Sequence, residues 1–225
     1  ELYALAIGAA RQIVETDGIK ALTARNVADI IGYSPGTLYN LFDNLDDLIV
    51  HLNGSTLDDL YDTVSTLEPT GDPETDCKAL LSRYLEYLNA HPGLWYALFD
   101  YAVPAGMSVP EWYVRKIERL MHILRTAISP LYAGAKQDRT DLAASVLWAG
   151  LHGITSLSND GKLQLDFTDG SQVILKTDEA EEIAEAMTTE AKALAKAQRA
   201  MPAPQPSSSS SVPRLSSKPK AEEDG

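Results

Sequence analysis

The chain contains 225 residues, of which 44% are hydrophobic, and it carries 19 basic side chains, 32 acidic side chains and one cysteine. A single cysteine excludes an internal disulfide and a cysteine-rich zinc site, and no apolar run reaches the roughly 18 to 20 residues of a membrane-spanning helix. The formal net charge of −13, taken alone, argues against a nucleic-acid partner, because phosphate contacts require positive charge.

Apolar residues recur at helical spacing along almost the whole chain, so we expect an all-α protein. The first residues show no basic stretch followed by an apolar one, and we therefore expect no signal peptide, no membrane segment and a cytoplasmic location. The periodicity predicts helices over about 2–17, 23–30, 34–42, 44–69, 74–90, 94–102, 111–128, 138–158 and 177–200.

Cap residues support the starts of three predicted helices near the N-terminus. Thr23 and Asn44 each precede an apolar periodic stretch, where their side chains can accept a backbone hydrogen bond. Gly32 provides a tight turn between the second and third helices. Ser34 followed by Pro35 restarts the chain, because proline at the first helical position loses no hydrogen bond.

Two segments near the C-terminus depart from the helical pattern. Alternating residues flank Asp169 and Gly170, which indicates a β-hairpin near 163–176. Residues 201–225 hold five prolines and seven serines, a composition that cannot bury a core. We therefore expect a disordered tail there.

The stretch from Thr23 to Leu48 predicts two short helices joined by a glycine-containing turn, which is the geometry of a helix-turn-helix. Apolar side chains on one side of these helices are expected to form a small core with the first helix. Ala28 is small enough for a close contact between helices. The predicted core residues are Leu22, Val27, Ile30, Ile31, Leu38, Leu41 and Phe42.

The remaining residues of this motif face outward, and their types suit DNA. Arg25 can reach a guanine edge or a phosphate, and Asn40 can pair with adenine. The hydroxyl groups of Thr37 and Tyr39 can bind phosphate. Judged by spacing alone, however, a plain helical hairpin within a bundle is an equally good interpretation.

The same stretch resembles the DNA-binding domain of TetR/AcrR-family transcriptional regulators. That family has a threonine opening the second helix, an alanine within it, a glycine turn, a Gly-Thr-Leu-Tyr run, an aromatic residue and a leucine early in the fourth helix. The matching residues are Gly18, Thr23, Val27, Ala28, Gly32, Ser34, Gly36, Thr37, Leu38, Tyr39, Phe42 and Leu48. The resemblance implies that double-stranded DNA is contacted by Thr23, Arg25, Asn26, Pro35, Thr37, Tyr39 and Asn40.

The motif departs from the family pattern at two positions and in its charge. Leu45 stands where the family usually has a phosphate-binding lysine, and Leu41 stands where an aromatic residue or histidine is frequent. Residues 1–48 hold three basic and seven acidic side chains, a balance of −4. Three explanations stay open: basic residues preceding Glu1, a modest and salt-sensitive affinity, or loss of DNA binding.

A second resemblance lies near the C-terminus, where the run from Trp148 to Gly153 is similar to the Trp-His-Gly signature of one class of TetR-family effector domains. Trp148 and His152 share a helical face, which suits a dimer interface or a ligand contact. The family also implies that the last two helices form a four-helix interface in a homodimer, so that two-fold symmetry would match a palindromic operator. The apolar stripe that permits this interface is Ala143, Ala144, Leu147, Leu151 and Ile154.

The family resemblance further places an effector pocket among the helices between residues 74 and 158. The apolar and aromatic side chains in that region are as typical of a filled core as of a small-molecule pocket. We expect a small, apolar effector, and the predicted ligand contacts are Tyr84, Trp95, Met121 and His152.

No motif of catalysis, nucleotide binding or metal binding is visible, because the four histidines lie far apart and Cys77 has no activating neighbour in sequence. We expect no enzyme, no cofactor and no metal. The chain is interpreted as a ligand-responsive transcriptional repressor, with a helix-turn-helix domain over 1–47, an effector-binding and dimerisation domain over 48–200 and a tail over 201–225. The alternative is a helical, dimeric interaction protein that has lost DNA binding.

Overall fold

The computed structural model describes residues 1–99, 101, 108–133, 137–159, 164–166, 172–174 and 180–200. Its helices confirm the predicted all-α class. They are α1 (Leu2–Asp17), α2 (Ala24–Ile31), α3 (Pro35–Leu38), α4 (Leu45–Ser65), α5 (Pro73–Ala90), α6 (Pro92–Phe99), α7 (Glu111–Ile128), α8 (Gln137–Asn159) and α9 (Ala180–Ala200). Of the helices in these ranges, none is both long and apolar enough to cross a lipid bilayer.

A short two-stranded sheet lies between α8 and α9. Strand β1 (Gln164–Asp166) pairs antiparallel with β2 (Gln172–Ile174), and Leu165 faces Val173 in the register. The predicted hairpin is therefore confirmed in its strands. Its turn, the predicted cap Thr177 and the predicted tail over 201–225 lie outside the described residues.

Side chains fix where the second and fourth helices begin, as predicted. The Thr23 hydroxyl accepts a hydrogen bond from the Asn26 amide at 3.1 Å, and the Asn44 side chain accepts one from the Asp47 amide at 2.9 Å. α2 ends at Gly32, whose φ of 74° lies in the left-handed region that favours glycine. Both ends of α2 and the start of α4 are thus determined locally.

Two helices are shorter than predicted. α3 ends at Leu38 instead of near Phe42, because the Leu41 amide bonds to the Leu38 carbonyl, three residues back, and tightens the chain into a turn. α4 ends at Ser65 instead of near residue 69, where the Leu67 amide bonds to the Val64 carbonyl three residues back, and Pro69 disfavours helical backbone at Glu68 beyond it.

The buried faces of α1 and α2 also differ from the prediction. Leu5 is 49% exposed although it recurs at helical spacing with Ala9 and Ile13, and Ile30, one of the predicted core residues, is 48% exposed. α1 packs against α2 on one side and against α4 and α6 on others, so several small residues are buried in place of one leucine stripe. Ile31 and Leu41 are only partly buried. The residues that α1 buries are Ala6, Ile7, Ala9, Ala10, Ile13 and Val14.

Buried side chains form two clusters, and α6 joins them. The first cluster, which we call the head core, combines α1, α2 and α3 with the start of α4 and with Leu94 and Ala97 of α6. The second cluster combines the rest of α4 with α5, α7, α8 and α9, and it contains Trp95 of α6. Neighbouring residues of one short helix therefore belong to two different cores.

Candidate functional site

α2 and α3 present the side chains predicted to contact DNA. After the turn at Gly32, the Tyr33 amide donates to the Ala28 carbonyl at 3.0 Å, which closes α2 before α3 begins. Among the predicted contact residues, Tyr39 is 55% exposed. Thr23, Arg25, Asn26, Pro35 and Asn40 are exposed as well, and Thr37 is partly buried; Tyr39 and Asn40 follow the end of α3.

Three of the predicted contact residues also hold the motif together. Thr23 caps α2, as described above, and the Asn26 side-chain amide donates to the Ala21 carbonyl at 2.8 Å. The Thr37 hydroxyl pairs with that of Ser34 at 3.0 Å, so Ser34 does not cap α3 through a backbone amide. These side chains stabilise the motif through their hydrogen bonds, and Arg25, Tyr39 and Asn40 are exposed beside them.

Acidic side chains of the head, by which we mean residues 1–48, form hydrogen bonds with residues that flank α6. His91 Nδ1 donates to Glu15 Oε1 at 2.7 Å, and the Tyr101 hydroxyl donates to the Asp46 carboxylate. Burial, together with the Asp46 carboxylate, raises the pKa of Tyr101 to about 12, so this hydroxyl keeps its proton. The acidity of residues 1–48 is therefore directed in part away from α2 and α3, where Arg25 is exposed.

The two departures from the family pattern have a structural role. Leu45 begins α4 and is partly buried against the head core, as is Leu41. Both side chains therefore contribute apolar contacts where the resemblance anticipates groups that reach outward. The positive charge that Leu45 lacks must come from other residues if the head binds phosphate.

An aromatic cluster surrounds His152 in the C-terminal part. Its ring centroid lies 4.0 Å from that of Phe99, 4.3 Å from that of Trp148 and 5.0 Å from that of Trp95, on which it stacks. The Tyr84 hydroxyl lies 3.1 Å from His152 Nε2. Three of the four predicted ligand contacts are thus brought together.

The hydrogen bonds of His152 determine its protonation. Nδ1 lies 2.6 Å from the Trp148 carbonyl, which only accepts, so Nδ1 carries the proton. Burial lowers the pKa of His152 to about 4, so the ring is neutral at pH 7 and Nε2 accepts from the Tyr84 hydroxyl. The polar centre of the cluster is therefore uncharged.

A small cavity adjoins this cluster. Its volume is about 30 Å³, enough for one or two water molecules. Met121 is partly buried elsewhere against the same core and does not line it. Phe99 is not among the four predicted ligand contacts, although its position four residues after Trp95 on α6 was a usable signal. The lining residues are Val64, Leu80, Leu81, Tyr84, Leu120, Leu124, Trp148 and Leu151.

One buried donor near the cluster has no partner among the described residues. The indole nitrogen of Trp95 makes no hydrogen bond there, and the whole residue is only 2% exposed. A buried N–H without a partner costs about 1 to 3 kcal/mol, so a ligand that offers an acceptor there would gain affinity.

α6 connects the aromatic cluster to the head. A Cβ placed on Gly93 would overlap the Val14 carbonyl oxygen of α1, so the two backbones are in direct contact. The buried Asn53 of α4 donates to the Ala97 carbonyl of α6 at 2.8 Å. The helix that carries Trp95 is therefore in direct contact with both α1 and α4.

The apolar stripe predicted for the dimer interface is buried inside the protomer instead. Ala143, Ala144, Leu147 and Leu151 all belong to the second cluster, and the side chain of Ile154 lies outside the described residues. The opposite face of α8 is exposed, with Leu142 at 58% and Val146 at 50%. Ala149, Gly150 and Gly153 continue that exposed face.

Metal-binding side chains do not converge in the described ranges. No three or more His, Cys, Asp or Glu residues there form a group that could hold a metal ion.

Two family models match the chain. The model of bacterial regulatory proteins of the tetR family matches residues 6–52, and that of the tetracyclin repressor-like C-terminal domain matches residues 77–189. No curated protein matches the sequence.

Solved structures share the fold at low sequence identity. A transcriptional regulator from Rhodococcus sp. RHA1 is 18% identical with a TM-score of 0.63, over 84% of this chain and 95% of that one. A TetR-family transcriptional regulator from Thermus thermophilus is 16% identical with a TM-score of 0.55, over 84% and 97%. A tetR-family regulator from Streptomyces coelicolor is 17% identical with a TM-score of 0.61, over 87% and 86%.

Proposed function

Because the chain belongs to the TetR family of bacterial regulatory proteins, we propose that it is a one-component repressor that binds a palindromic operator as a homodimer and is released by a small apolar effector. In this proposal residues 1–47 bind DNA and residues 48–200 bind the effector and dimerise. The observation that carries it is the helix-turn-helix with its exposed polar face, joined through α6 to a buried aromatic cluster.

The charges of the head support weak but specific binding. Arg11 pairs with Asp59 of α4, so Lys20 and Arg25 are the exposed cations of residues 1–48. With so few phosphate contacts, affinity must depend on base contacts and on the two-fold repetition of the head. We infer that this protein resides in the cytoplasm, where its DNA partner lies.

Replacing Arg25 by alanine is expected to weaken operator binding about 10- to 100-fold and to lower the salt slope by about 1 per protomer. Operator sequences selected from a random pool would be titrated at several salt concentrations. Arg83→Ala is the matched control, since Arg83 is an exposed arginine on α5 that pairs with Glu86. Equal affinities for Arg25→Ala and the wild type would refute this role for Arg25.

The exposed face of α8 supports the homodimer. Leu142 and Val146 lie four residues apart on one face, and Gly150 and Gly153 allow a partner helix to approach closely. Large apolar side chains exposed in a row indicate a contact with another protein surface. In our proposal this face, together with α9, meets its own copy.

Val146→Glu is expected to convert the dimer to a monomer and to weaken operator binding about 10- to 100-fold, because a carboxylate would be buried at the interface. Sedimentation velocity reports the mass and a mobility shift the affinity. Val114→Glu places the same change on α7, where Val114 is 44% exposed, and should leave the dimer intact. A dimer that survives Val146→Glu would place the interface elsewhere.

The effector step is proposed as a population shift. A cavity of about 30 Å³ is too small for a typical ligand, which occupies about 300 to 1,000 Å³, so an effector must bind a conformer in which the helices have parted. Trp95 and Phe99 belong to α6, so parting them from His152 moves the helix that contacts the head. The ligand contacts we propose are Tyr84, Trp95, His152 and, in the parted conformer, Met121.

Random-pool selection also separates this function from its alternative. A regulator enriches a palindromic site, and metabolite extract added to the bound complex releases it. A helical interaction protein that has lost DNA binding enriches no site at any salt concentration.

A further inference from the structure

A second cavity lies where the head meets the C-terminal helices. Its volume is about 640 Å³, within the range of about 300 to 1,000 Å³ that small-molecule sites occupy. Residues of α1 form one wall, residues of α7 form the other, and α4 forms the floor. It is separate from the cluster around His152, with which it shares no lining residue.

Flat aromatic surfaces line this groove. The rings of His51 and Trp112 are stacked, with centroids 4.8 Å apart and planes 18° apart. The Tyr3 hydroxyl lies 2.9 Å from His51 Nδ1, and the Tyr3 ring meets the His51 ring edge-on. These contacts hold the rings in place, so the groove offers a preformed surface for a planar ligand.

The opposite wall has free space beside Gly8. A Cβ built on this residue meets no atom within 4 Å, although Gly8 lies inside α1, where glycine is unfavourable for helix stability. The position faces the groove with no side chain of its own. The width of the cavity therefore depends on this glycine.

Two cationic side chains in the lining can meet an anion. Arg11 of α1 and Lys116 of α7 stand on opposite walls, and Asp58 is the carboxylate among the lining residues. Arg11 pairs with Asp59 and lies 3.9 Å from Glu15, and Lys116 pairs with Asp58, so each cation already has a carboxylate partner. A guanidinium has five N–H donors and an ammonium has three, so both can bind a ligand carboxylate in addition to their own partners.

We propose that this groove binds a planar aromatic carboxylate. The ring lies against Trp112 and His51, beside Gly8, and the carboxylate lies between Arg11 and Lys116. Such a ligand contacts the head and α7 at once, so it holds the head in one orientation relative to the C-terminal helices. The site thus provides a second regulatory input, separate from the proposed effector site.

The test uses 2-naphthoate as the probe and the free full-length protein, so its outcome does not depend on operator binding. Calorimetry is expected to show saturable binding of one 2-naphthoate per protomer. The neutral isostere 2-naphthamide is expected to bind at least about tenfold more weakly, because it lacks the charge-assisted hydrogen bonds.

Two variants locate the site. Gly8→Leu fills the groove while favouring the helix, and it should abolish binding with the circular dichroism spectrum retained. Lys116→Gln should weaken binding at least about tenfold, whereas Arg115→Gln, on the adjacent exposed arginine of α7, should leave it unchanged. The proposal is overturned by absence of binding, by equal affinity for naphthamide, or by unchanged affinity in Gly8→Leu.

Discussion

Replacement of Gly93 by alanine is expected to destabilise the protein by about 3 kcal/mol, the upper end of the usual cost of overpacking. The added methyl would overlap the Val14 carbonyl oxygen and would lie 3.1 Å from the Val14 carbonyl carbon and 3.3 Å from Glu15 Cα. All three atoms belong to the backbone, which cannot rotate away as a side chain can. α6 must therefore separate from α1.

The measurement is urea denaturation followed by circular dichroism, with Gly8→Ala as the control. Gly8 also lies in a helix, but a methyl there meets nothing within 4 Å, so Gly8→Ala should stabilise the protein by about 0.5 to 1 kcal/mol. If Gly93→Ala lowers the free energy of unfolding and Gly8→Ala raises it, the loss of stability arises in the contact between α6 and α1. A Gly93→Ala variant as stable as the wild type would show that α6 and α1 can separate at little energetic cost.

The same variant tests the proposed path from effector to head. If α6 carries the signal, Gly93→Ala should change operator affinity even without effector, because the altered seat of α6 biases the equilibrium between DNA-competent and incompetent conformers. The comparison is made without urea at a temperature well below the melting transition of the variant, so that unfolding does not contribute.

Acidification from about pH 6.5 to pH 4 is expected to remove up to about 3 kcal/mol of stability through His152 alone. Burial lowers its pKa to about 4 in the folded protein, while the unfolded chain has the ordinary value of 6.5. Between these two pH values the His152 ring binds a proton in the unfolded chain but not in the folded protein. Stability is therefore complete above about pH 6.5 and falls as the pH approaches 4.

Among the described residues, the side chains in contact with His152 are uncharged, so none of them offsets this loss of stability. The side chains facing His152 are those of Tyr84, Trp95, Phe99 and Trp148, and burial raises the pKa of Tyr84 well above its ordinary value. Asp59 acts in the opposite direction, because burial raises its pKa and the folded protein then holds a proton more readily. The full pH profile is a sum over such groups.

His152→Gln isolates the histidine contribution. Glutamine accepts a hydrogen bond from the Tyr84 hydroxyl but does not titrate, so the stability of the variant should depend less on pH between 6.5 and 4. Urea unfolding of both proteins at a series of pH values gives the difference directly. Parallel curves for the two proteins would mean that folding does not lower the pKa of His152.

Local sequence features predicted most helices accurately. The predicted helix over 111–128 is confirmed at both ends, and the caps Thr23 and Asn44 act as expected. Capping bonds and apolar periodicity are local, since they join residues a few positions apart. The end of α3 was not predicted, because no characteristic residue type accompanies a tight turn with hydrogen bonds from residue i to residue i−3.

Residue placement was less predictable where two partners compete for one helix. The apolar stripe of α8 was assigned to a dimer, yet Leu147 and Leu151 pack inside the protomer and Val146 is exposed. α8 carries apolar residues on two faces, and periodicity identifies such faces without saying which neighbour covers each. The Trp-His-Gly subclass and the DNA contacts stay predictions.

The sequence by itself determined that the chain is helical, where most of its helices lie and which short motif forms the candidate reading head. Only the tertiary structure decided that α6 divides its residues between two cores, that Glu15 and Asp46 form hydrogen bonds with residues that flank α6, and that a groove opens between α1 and α7. The difference is physical. Helices form from contacts between near neighbours, whereas the hydrogen bonds of Glu15 and Asp46 join residues 76 and 55 positions apart, which meet only when the helices pack.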